Sequence, residues 1–223
     1  MHVHVTRFNG NPNVGLYGFA TDTYCLIGQS VPVGESKLIK EALKVPVHRI
    51  TIAGTDLVGA LITGNSRMLL VPEITYPREM RALDKLGIAH TIIQARITAF
   101  GNTILCNDQG TLVSGDFSAD QKKRIRQALD VALKPGTLGG LDTVGSCGVI
   151  TGRGGVLHRD ATPEEVKKAQ DLFGVELECA SVNMGNPHVR SGIIANSHGF
   201  VVGDASGGPE MNYIDAALGF ISK

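Results

Sequence analysis

The sequence contains no tryptophan, no long apolar run and no excess of charge of either sign. Lysine plus arginine and aspartate plus glutamate number 21 each, so no overall field attracts bulk nucleic acid or an anionic membrane. No apolar stretch approaches the roughly 20 residues of a transmembrane helix. Residues 1–7 alternate like a strand and do not form an apolar signal region. We therefore expect a cytoplasmic protein with no membrane partner and no DNA partner.

Cysteine is also scarce. The four cysteines lie far apart and form no CxxC pair, so the sequence gives no sign of a disulfide framework. We expect free, buried thiols in a reducing compartment. The cysteines are Cys25, Cys106, Cys147 and Cys179.

What the sequence has in quantity is glycine, with 28 residues, and internal repetition. Five segments share an apolar residue followed by a residue that suits a turn. They recur with a period of about 44 residues, which is typical of repeat architectures. We call these segments the anchors: Val14-Gly15, Val58-Gly59, Phe100-Gly101, Val144-Gly145 and Val189-Arg190.

The segments between anchors follow one order: a short strand, a polar turn rich in Asn, Asp and Gly, a second apolar strand, a helix and a third strand. The clearest helix begins at Ser118, where Gln121 completes a capping box, and its apolar stripe extends to Ala132 and Leu133. Residues 162–165 predict another helix start, with proline at the first helical position. In the third unit, by contrast, residues 135–140 read as a loop where a third strand is expected.

The two ends of the chain complement each other. The fifth unit ends with its helix and lacks a third strand, whereas the N-terminal strand, residues 3–8, has no helix before it. We expect this strand to complete the fifth unit and close a ring, which would remove exposed strand edges. The prediction is one α+β domain over residues 1–223, built of five ββαβ repeats in a propeller-like ring. The repeats cover residues 12–54, 55–96, 97–140, 141–184 and 185–223.

The histidines invite a metal hypothesis. His4, His48 and His90 precede their anchors by the same distance, and Cys179 matches them in the fifth unit. Such a ring of ligands would hold zinc if the position faced the axis. However, His48 lies on the same face of its strand as apolar residues, whereas His4 lies on the same face as polar residues, so the two positions differ in environment. The internal repeat alone explains why the histidines align. The glycine-rich stretches lack the residues of a phosphate-binding loop. We expect no metal and no cofactor.

Short motifs are spread over the first four of the five units. They are Thr21–Leu26, Ile52–Gly54, Gly64–Pro72, Gly101-Asn102 with Cys106–Asp108, and Gly154–His158. Together with the spacing, these motifs resemble the translation initiation factor 6 family, the ribosome anti-association factors of archaea and eukaryotes. The chain ends soon after its last helix, without the added tail typical of eukaryotic members, so we expect the archaeal type.

The resemblance implies a pentein fold, in which five ββαβ units surround a pseudo-five-fold axis. It also implies docking on the intersubunit face of the large (50S) ribosomal subunit, against ribosomal proteins near the sarcin–ricin loop. Bound there, members of the family block joining of the small subunit. The resemblance also implies that the protein is linked to biogenesis of the large subunit. By the resemblance, the docking residues lie near the anchors and first hairpins: Gly15, Asn65, Arg67, Asn102, Asn107, Asn186 and His188.

Within this set Arg67 and Asn102 are the stronger candidates, because Arg bridges to carboxylate or phosphate and Asn offers both donor and acceptor. The zero net charge favours contacts with ribosomal proteins over rRNA phosphates, with local rRNA contact as an addition. The acidic residues Asp204, Glu210 and Asp215 are candidates for meeting basic ribosomal tails. We expect the protein to act as a monomer.

Two other functions stay open. The pentein fold also carries hydrolases that modify guanidino groups through a Cys nucleophile with His and acidic partners. Those enzymes have their cysteine near the end of the last repeat, whereas Cys179 precedes the fifth anchor here. We therefore expect no catalytic residues and no enzyme. The third possibility, a ring scaffold for another protein partner, fits the repeat and is disfavoured only by the family motifs.

Overall fold

The computed structural model describes residues 2–221, and these form five three-stranded sheets. In each sheet, an antiparallel hairpin is joined by a third strand that pairs in parallel with the second strand of the hairpin. A parallel third strand requires a crossover connection, which a helix supplies in the four units where the chain continues to it. The α+β fold of five ββαβ-like units, the arrangement of a pentein, is confirmed.

All strands are short. The hairpins are β2 (Gly18–Ala20) with β3 (Cys25–Gly28), β5 (Thr63–Gly64) with β6 (Leu69–Pro72), β8 (Ile104–Cys106) with β9 (Gly110–Val113), β11 (Gly148–Ile150) with β12 (Gly155–His158), and β14 (Ile193–Asn196) with β15 (Gly199–Gly203). The third strands are β4 (Val47–Ile50), β7 (His90–Ile93), β10 (Ala132–Pro135), β13 (Leu177–Ala180) and β1 (Val3–Thr6).

The first strand of the chain belongs to the last sheet. β1 pairs in parallel with β15, with Val3 opposite Phe200 and Thr6 opposite Gly203. It therefore occupies the place that β4, β7, β10 and β13 take in the other sheets.

Helices of two lengths alternate along the chain. The long crossover helices are α1 (Glu35–Leu43), α3 (Pro77–Lys85), α5 (Ala119–Leu129), α6 (Pro163–Phe173) and α8 (Gly208–Ala217). At the anchors lie a 3₁₀ turn (Val14–Leu16), α2 (Val58–Leu61), α4 (Phe100–Thr103) and α7 (Val189–Gly192), while the fourth anchor forms a turn over residues 144–147. Among the helices of residues 2–221, none combines the length and the apolar character needed to cross a bilayer.

Both predicted helix starts are confirmed. The Ser118 hydroxyl accepts the N–H of Gln121, and the Gln121 side chain accepts the N–H of Ser118, so the capping box at α5 is complete. Thr162 caps α6 in the same way with Glu165, and Pro163 is the first helical residue.

The predicted course of the third unit is wrong beyond Leu129. α5 ends there because Asp130 adopts a left-handed conformation with φ 53°. Ala132 and Leu133, which the apolar stripe assigned to the helix, begin β10 and pair with β9. Pro135 closes this strand at the edge of its sheet, where the missing N–H does not interrupt the ladder. The third unit therefore has a third strand like the others.

Each unit packs against the one before it. Five separate hydrophobic clusters form the core. The crossover helices contact the preceding sheet as well as their own: α6 contacts β9, α8 contacts β12 and β13, and α1 contacts β15. The contacts thus run from unit to unit and return from unit 5 to unit 1.

All four cysteines are free. Cys25 and Cys147 are buried as predicted, and Cys106 is half-buried. The prediction of a buried thiol is wrong for Cys179, which is exposed on β13.

Candidate docking faces and the axial cavity

Equivalent strands run in the same direction in all five units, so the molecule has two distinct ends. The first strand of each unit runs from its anchor to its hairpin turn, the second strand returns, and the third strand runs parallel to the second. We call the surface of the anchors and the turns before them the anchor face, which comprises residues 9–15, 53–59, 97–102, 139–146 and 183–190. We call the surface of the hairpin turns the hairpin face, which comprises residues 21–24, 65–68, 107–109, 151–154 and 196–198.

Backbone contacts between neighbouring anchors make the anchor face compact. A Cβ at Gly59 would lie 2.0 Å from the carbonyl oxygen of Gly15, and one at Gly101 would lie 2.0 Å from that of Gly59. At Gly15 the corresponding contact is 1.8 Å from the carbonyl oxygen of Arg190, which joins unit 1 to unit 5. Glycine is needed at these positions because each anchor rests directly on the backbone of the preceding one.

Three glutamates fasten the turns of the anchor face to the crossover helices. Glu79, Glu165 and Glu210 each cap their own helix and also accept backbone N–H bonds from the turn before an anchor. Burial alone would raise the pKa of each carboxyl, but the hydrogen bonds outweigh it and lower the pKa in all three. The turns are therefore held in place by charged acceptors.

Four of the seven predicted docking residues lie on the anchor face. Gly15 is buried in the backbone contact, whereas Asn102, Asn186 and His188 are half-buried. Within residues 2–221, no hydrogen bond engages the side-chain amide of Asn102. The Asn186 side chain accepts the N–H of His188 at 3.0 Å and donates to the hydroxyl of Ser191 at 3.1 Å. Asn102 therefore has the freest polar side chain of the four.

Exposed apolar side chains lie on the same face as these residues. Leu57, Leu141 and Met184 are 41%, 36% and 87% exposed, and all three lie in turns of the anchor face. The five described turns of the hairpin face carry no exposed large apolar side chain. The anchor face thus combines exposed apolar side chains with polar groups, among which Asp142 is charged and exposed.

The other three predicted docking residues lie on the hairpin face, and two of them are buried. The Asn65 amide donates to the carbonyl of Leu129 at 2.8 Å, and the Asn107 amide donates to that of Phe173 at 3.0 Å. Each asparagine thereby caps the C-terminus of the next unit's helix, while its Oδ1 accepts two N–H groups of its own turn. These side chains hold neighbouring units together.

Arg67, the third, is exposed at the tip of its turn. Its guanidinium donates to the carbonyl oxygens of Asp108 and Asp130 at 3.2 and 3.3 Å. The tip residues of all five turns are exposed and polar: Thr23, Arg67, Gln109, Arg153 and His198. The seven predicted residues are therefore divided between two ends of the molecule.

The three acidic candidates all have partners within the chain. Asp204 pairs with Arg7, and Asp215 lies 2.7 Å from Nε2 of His2. Glu210 accepts the helix-cap and turn bonds described above. Their carboxylates are thus already engaged inside the protein.

A narrow cavity lies at the centre of the five units. Its mouth, with a volume of about 90 Å³, is lined by residues of all five hairpins, and its deeper part holds about 50 Å³ between the first strands. The half-buried Arg190 lines the deep part and its guanidinium donates to the carbonyls of Gly59 and Ile62. Burial lowers the pKa of Arg190 to about 10. These volumes lie below the roughly 300–1,000 Å³ of small-molecule sites.

Burial also governs the cysteines. It raises the pKa of the Cys106 thiol, at the central cavity, to about 11 and that of Cys25 to about 12. It raises the pKa of Cys147 and Cys179 as well. Because the thiolate is the nucleophile, none of these thiols is activated at neutral pH.

One group of three or more metal-ligating side chains occurs within residues 2–221. Cys147, His158 and His188 each offer a ligand atom, and these atoms all lie within 4.8 Å of one another. Cys147 and His158 face each other at the open end of the unit-4 hairpin, where the N–H of His158 donates to the carbonyl of Cys147 at 2.7 Å. His188 comes from the fifth anchor. Sequence spacing did not reveal this group.

The histidines that sequence spacing did align are held apart. His4, His48 and His90 lie on the third strands of three different sheets. His4 instead contacts Glu35 at 2.7 Å.

A protein-family profile matches nearly the whole chain. The profile described as "eIF-6 family" matches residues 3–217. Translation initiation factor 6 of Thermococcus onnurineus is 39% identical over 99% of this chain and 100% of its own length. Translation initiation factor 6 of Pyrococcus horikoshii is 37% identical over 99% of this chain and 100% of its own length. That of Sulfolobus acidocaldarius is 36% identical over 94% of this chain and 95% of its own length. Among solved structures, C. jejuni agmatine deiminase matches with a TM-score of 0.42 and 11% identity over 70% of this chain and 61% of that one, which is too distant to bear on function.

Proposed function

Because this chain belongs to the eIF-6 family, whose archaeal members are translation initiation factors, we propose that it binds the large ribosomal subunit at its intersubunit face. Bound there, it prevents premature association with the small subunit and also takes part in large-subunit biogenesis. It acts as a monomer in the cytoplasm. The match over nearly the full length of these relatives supports this assignment.

The anchor face is the docking surface in this proposal. The observation that carries the choice is the unpartnered amide of Asn102 on the same face as the exposed Leu57, Leu141 and Met184. Protein–protein interfaces combine an apolar centre with polar groups, and charged residues are depleted at that centre. Among the other predicted residues, Gly15, Asn65 and Asn107 shape and stiffen the molecule, while Asn186 and His188 flank the contact.

Ribosomal proteins near the sarcin–ricin loop are the main partners, and rRNA contributes only locally. The zero net charge supports this, since binding to rRNA phosphates favours basic proteins and depends steeply on salt. The proposal does not rely on Asp204, Glu210 or Asp215, whose carboxylates have partners in the chain. Binding that falls by orders of magnitude between low and physiological salt would contradict a protein-dominated contact.

Co-sedimentation with isolated large subunits, followed by addition of small subunits, tests the function. The wild-type protein should bind the large subunit and reduce subunit joining. Asn102→Ala should weaken binding by 10-fold or more, on the order of a hot-spot residue. Arg67→Ala, an exposed substitution on the opposite face, is the matched control and should change binding by less than about 3-fold.

Each outcome distinguishes an alternative. A large effect of Arg67→Ala with none of Asn102→Ala would move docking to the hairpin face. No binding of the wild-type protein to large subunits would overturn the ribosomal function and leave a scaffold for another partner. The guanidino-modifying hydrolase has no support from the cavity, which is small, or from Cys106, whose raised pKa keeps it protonated. Release of ammonia or citrulline from arginine derivatives would revive it.

A further inference from the structure

We propose that Cys147, His158 and His188 form a binding site for a divalent transition metal, first of all Zn²⁺, at the junction of units 4 and 5. The proposal does not rest on the ribosomal function. One thiol and two imidazoles are ligands that zinc prefers, and three protein ligands leave a fourth position for water.

The geometry is close to that of a bound metal. Tetrahedral zinc, with Zn–N of about 2.1 Å and Zn–S of about 2.3 Å, places its ligand atoms about 3.5 Å apart. The three ligand atoms lie within 4.8 Å of one another, so rotations that shift them by about 1 Å would close the site. Cys147 is 0% and His158 4% exposed, whereas His188 is half-buried and leaves a path to solvent. The two imidazole rings are 5.6 Å apart at an interplanar angle of 75°.

The hydrogen bonds around His188 prepare it as a ligand. The Ser146 hydroxyl donates to the carbonyl of Thr143 at 2.8 Å and lies 3.2 Å from Nδ1 of His188. A hydroxyl has only one proton, so Nδ1–H of His188 must be the donor in the second contact. The lone pair of Nε2 is then free, and Ser146 fixes the orientation of the ring, as outer-shell partners of metal-bound histidines do.

His158 differs from His188, because its present hydrogen bond places the ring proton on Nε2. Its Nδ1 accepts the N–H of Asp160 at 3.2 Å and lies 3.9 Å from the Asp160 carboxylate. Binding a metal through Nε2 would therefore move the ring proton to Nδ1 and replace the bond from the Asp160 N–H with a bond to that carboxylate. Carboxylate–histidine–metal arrangements are common because they fix the ring and strengthen the ligand.

The repeat itself does not require these residues. The backbone bond from His158 to Cys147 recurs in other units, for example from Gly28 to Tyr17 and from Ser114 to Thr103. At each of the other four junctions, three residues occupy the same strand-register and anchor positions as Cys147, His158 and His188. None of these equivalent trios contains cysteine, histidine or a carboxylate. These trios are Tyr17, Gly28 and Leu57; Leu61, Pro72 and Ala99; Thr103, Ser114 and Thr143; and Gly192, Gly203 and Asn13. One junction alone therefore carries metal-ligating side chains, which the symmetry of the fold does not explain.

Cobalt provides the direct test. Untagged full-length protein, stripped with a chelator, is titrated with Co²⁺ in buffer free of thiols. One equivalent should bind and produce a thiolate-to-cobalt charge-transfer band together with the visible bands of a tetrahedral site, and one equivalent of Zn²⁺ should remove both. Zn²⁺ should also raise the melting temperature of the stripped protein, because a ligand that binds only the folded state stabilises it.

Variants show which residues produce the Co²⁺ bands. Cys147→Ser should abolish the charge-transfer band, and His188→Gln should weaken Co²⁺ binding by more than about 100-fold. Cys179→Ser, at an exposed cysteine outside the group, and His198→Gln, on the hairpin face, should leave the spectrum unchanged. If Cys147→Ser fails to fold, the half-buried His188→Gln still decides, since circular dichroism can show that it is folded. Absence of the bands in folded wild-type protein, or bands that persist in His188→Gln at wild-type affinity, would overturn the proposal.

Discussion

The side-chain amide of Asn196 in unit 5 donates to the carbonyl oxygen of Leu43, the last residue of α1 in unit 1, at 2.9 Å. The same amide donates to the carbonyl of Thr21 at 3.0 Å. Asn65 and Asn107 make the equivalent bond to the helix of the next unit, and all three satisfy a helix-end carbonyl that lacks an intrahelical partner. The junction between the two ends of the chain is thus built like the junctions inside it.

Replacing this asparagine tests that junction. Asn196→Ala should lower the free energy of unfolding by about 1–3 kcal/mol, because it leaves buried carbonyl and N–H groups without partners. Asn107→Ala, at the equivalent internal junction, should cost about the same. Urea denaturation gives both values. A negligible cost for Asn196→Ala beside a full cost for Asn107→Ala would mean that units 5 and 1 are separated in solution.

Removal of the N-terminal strand should be far more damaging than an ordinary terminal truncation. Deleting residues 2–8 removes the pairing of β1 with β15 and the fully buried ring of Phe8. We expect a loss of about 4 kcal/mol or more, since truncating a buried phenylalanine alone costs about 3–5 kcal/mol. Val5→Thr, at a side chain 47% exposed on the same strand, should change stability by less than about 0.5 kcal/mol. Near-wild-type thermal unfolding of the deletion would contradict the role of β1.

The number and order of the elements could be predicted because each unit repeats the same turn chemistry and the same apolar stripe. The error in the third unit shows the limit of that reasoning. The stripe that includes Ile125 and Leu129 continues at helical spacing through Ala132 and Leu133, so periodicity alone extends the helix. The left-handed conformation of Asp130 ends it, and from Ala132 onward the chain pairs with β9 as strand β10. Tertiary contacts override the local pattern there.

The candidate sites were harder to predict than the fold. Asn65 and Asn107 have the character of turn residues, and the sequence does not reveal that a helix end from the next unit lies against each of them. Cys147, His158 and His188 come from two units, and no short spacing motif joins them. A usable signal was nevertheless present, since the hairpin turn at residues 151–154 places Cys147 opposite His158.

The anchors should tolerate no side chain where backbones touch. In Gly59→Ala the new Cβ would lie 2.0 Å from the carbonyl oxygen of Gly15, so backbone must move. We expect a loss of about 3 kcal/mol, at the upper end of overpacking substitutions. Gly34→Ala is the matched control: its φ is −61° and no atom lies within 4 Å of the new Cβ, so it should be neutral or stabilise by about 0.4–1 kcal/mol. Equal melting temperatures for the two variants would refute the close packing of the anchors.

Acid sensitivity should arise in part from Glu165, which ties α6 to the turn before the fourth anchor. Its carboxylate accepts the N–H of Thr162 at 2.9 Å, the hydroxyl of Thr137 at 2.7 Å, and the N–H groups of Gly139 and Gly140 at 3.0 and 3.3 Å. Burial by itself would raise the pKa of Glu165, but these bonds lower it to about 2 from the usual value of 4.5. A folded-state pKa below the unfolded one means that the stabilisation is complete above about pH 4.5 and is lost as the pH falls towards 2.

Glu165→Gln should therefore destabilise the protein at pH 7 by about 1 kcal/mol, the lower part of the range for a lost helix cap because the site is partly exposed to solvent. The difference from the wild type should shrink as the pH falls below about 4.5, since protonation removes the same charge from the wild-type carboxylate. Glu164→Gln, at the neighbouring exposed position, keeps the hydrogen bonds of Glu165 and removes only a surface ion pair with Lys168, so it should change the pH dependence of stability much less than Glu165→Gln does. Urea unfolding measured between pH 7 and pH 3 compares the three proteins. A pH-independent difference between Glu165→Gln and the wild type would show that the ionised carboxylate is not what stabilises the turn.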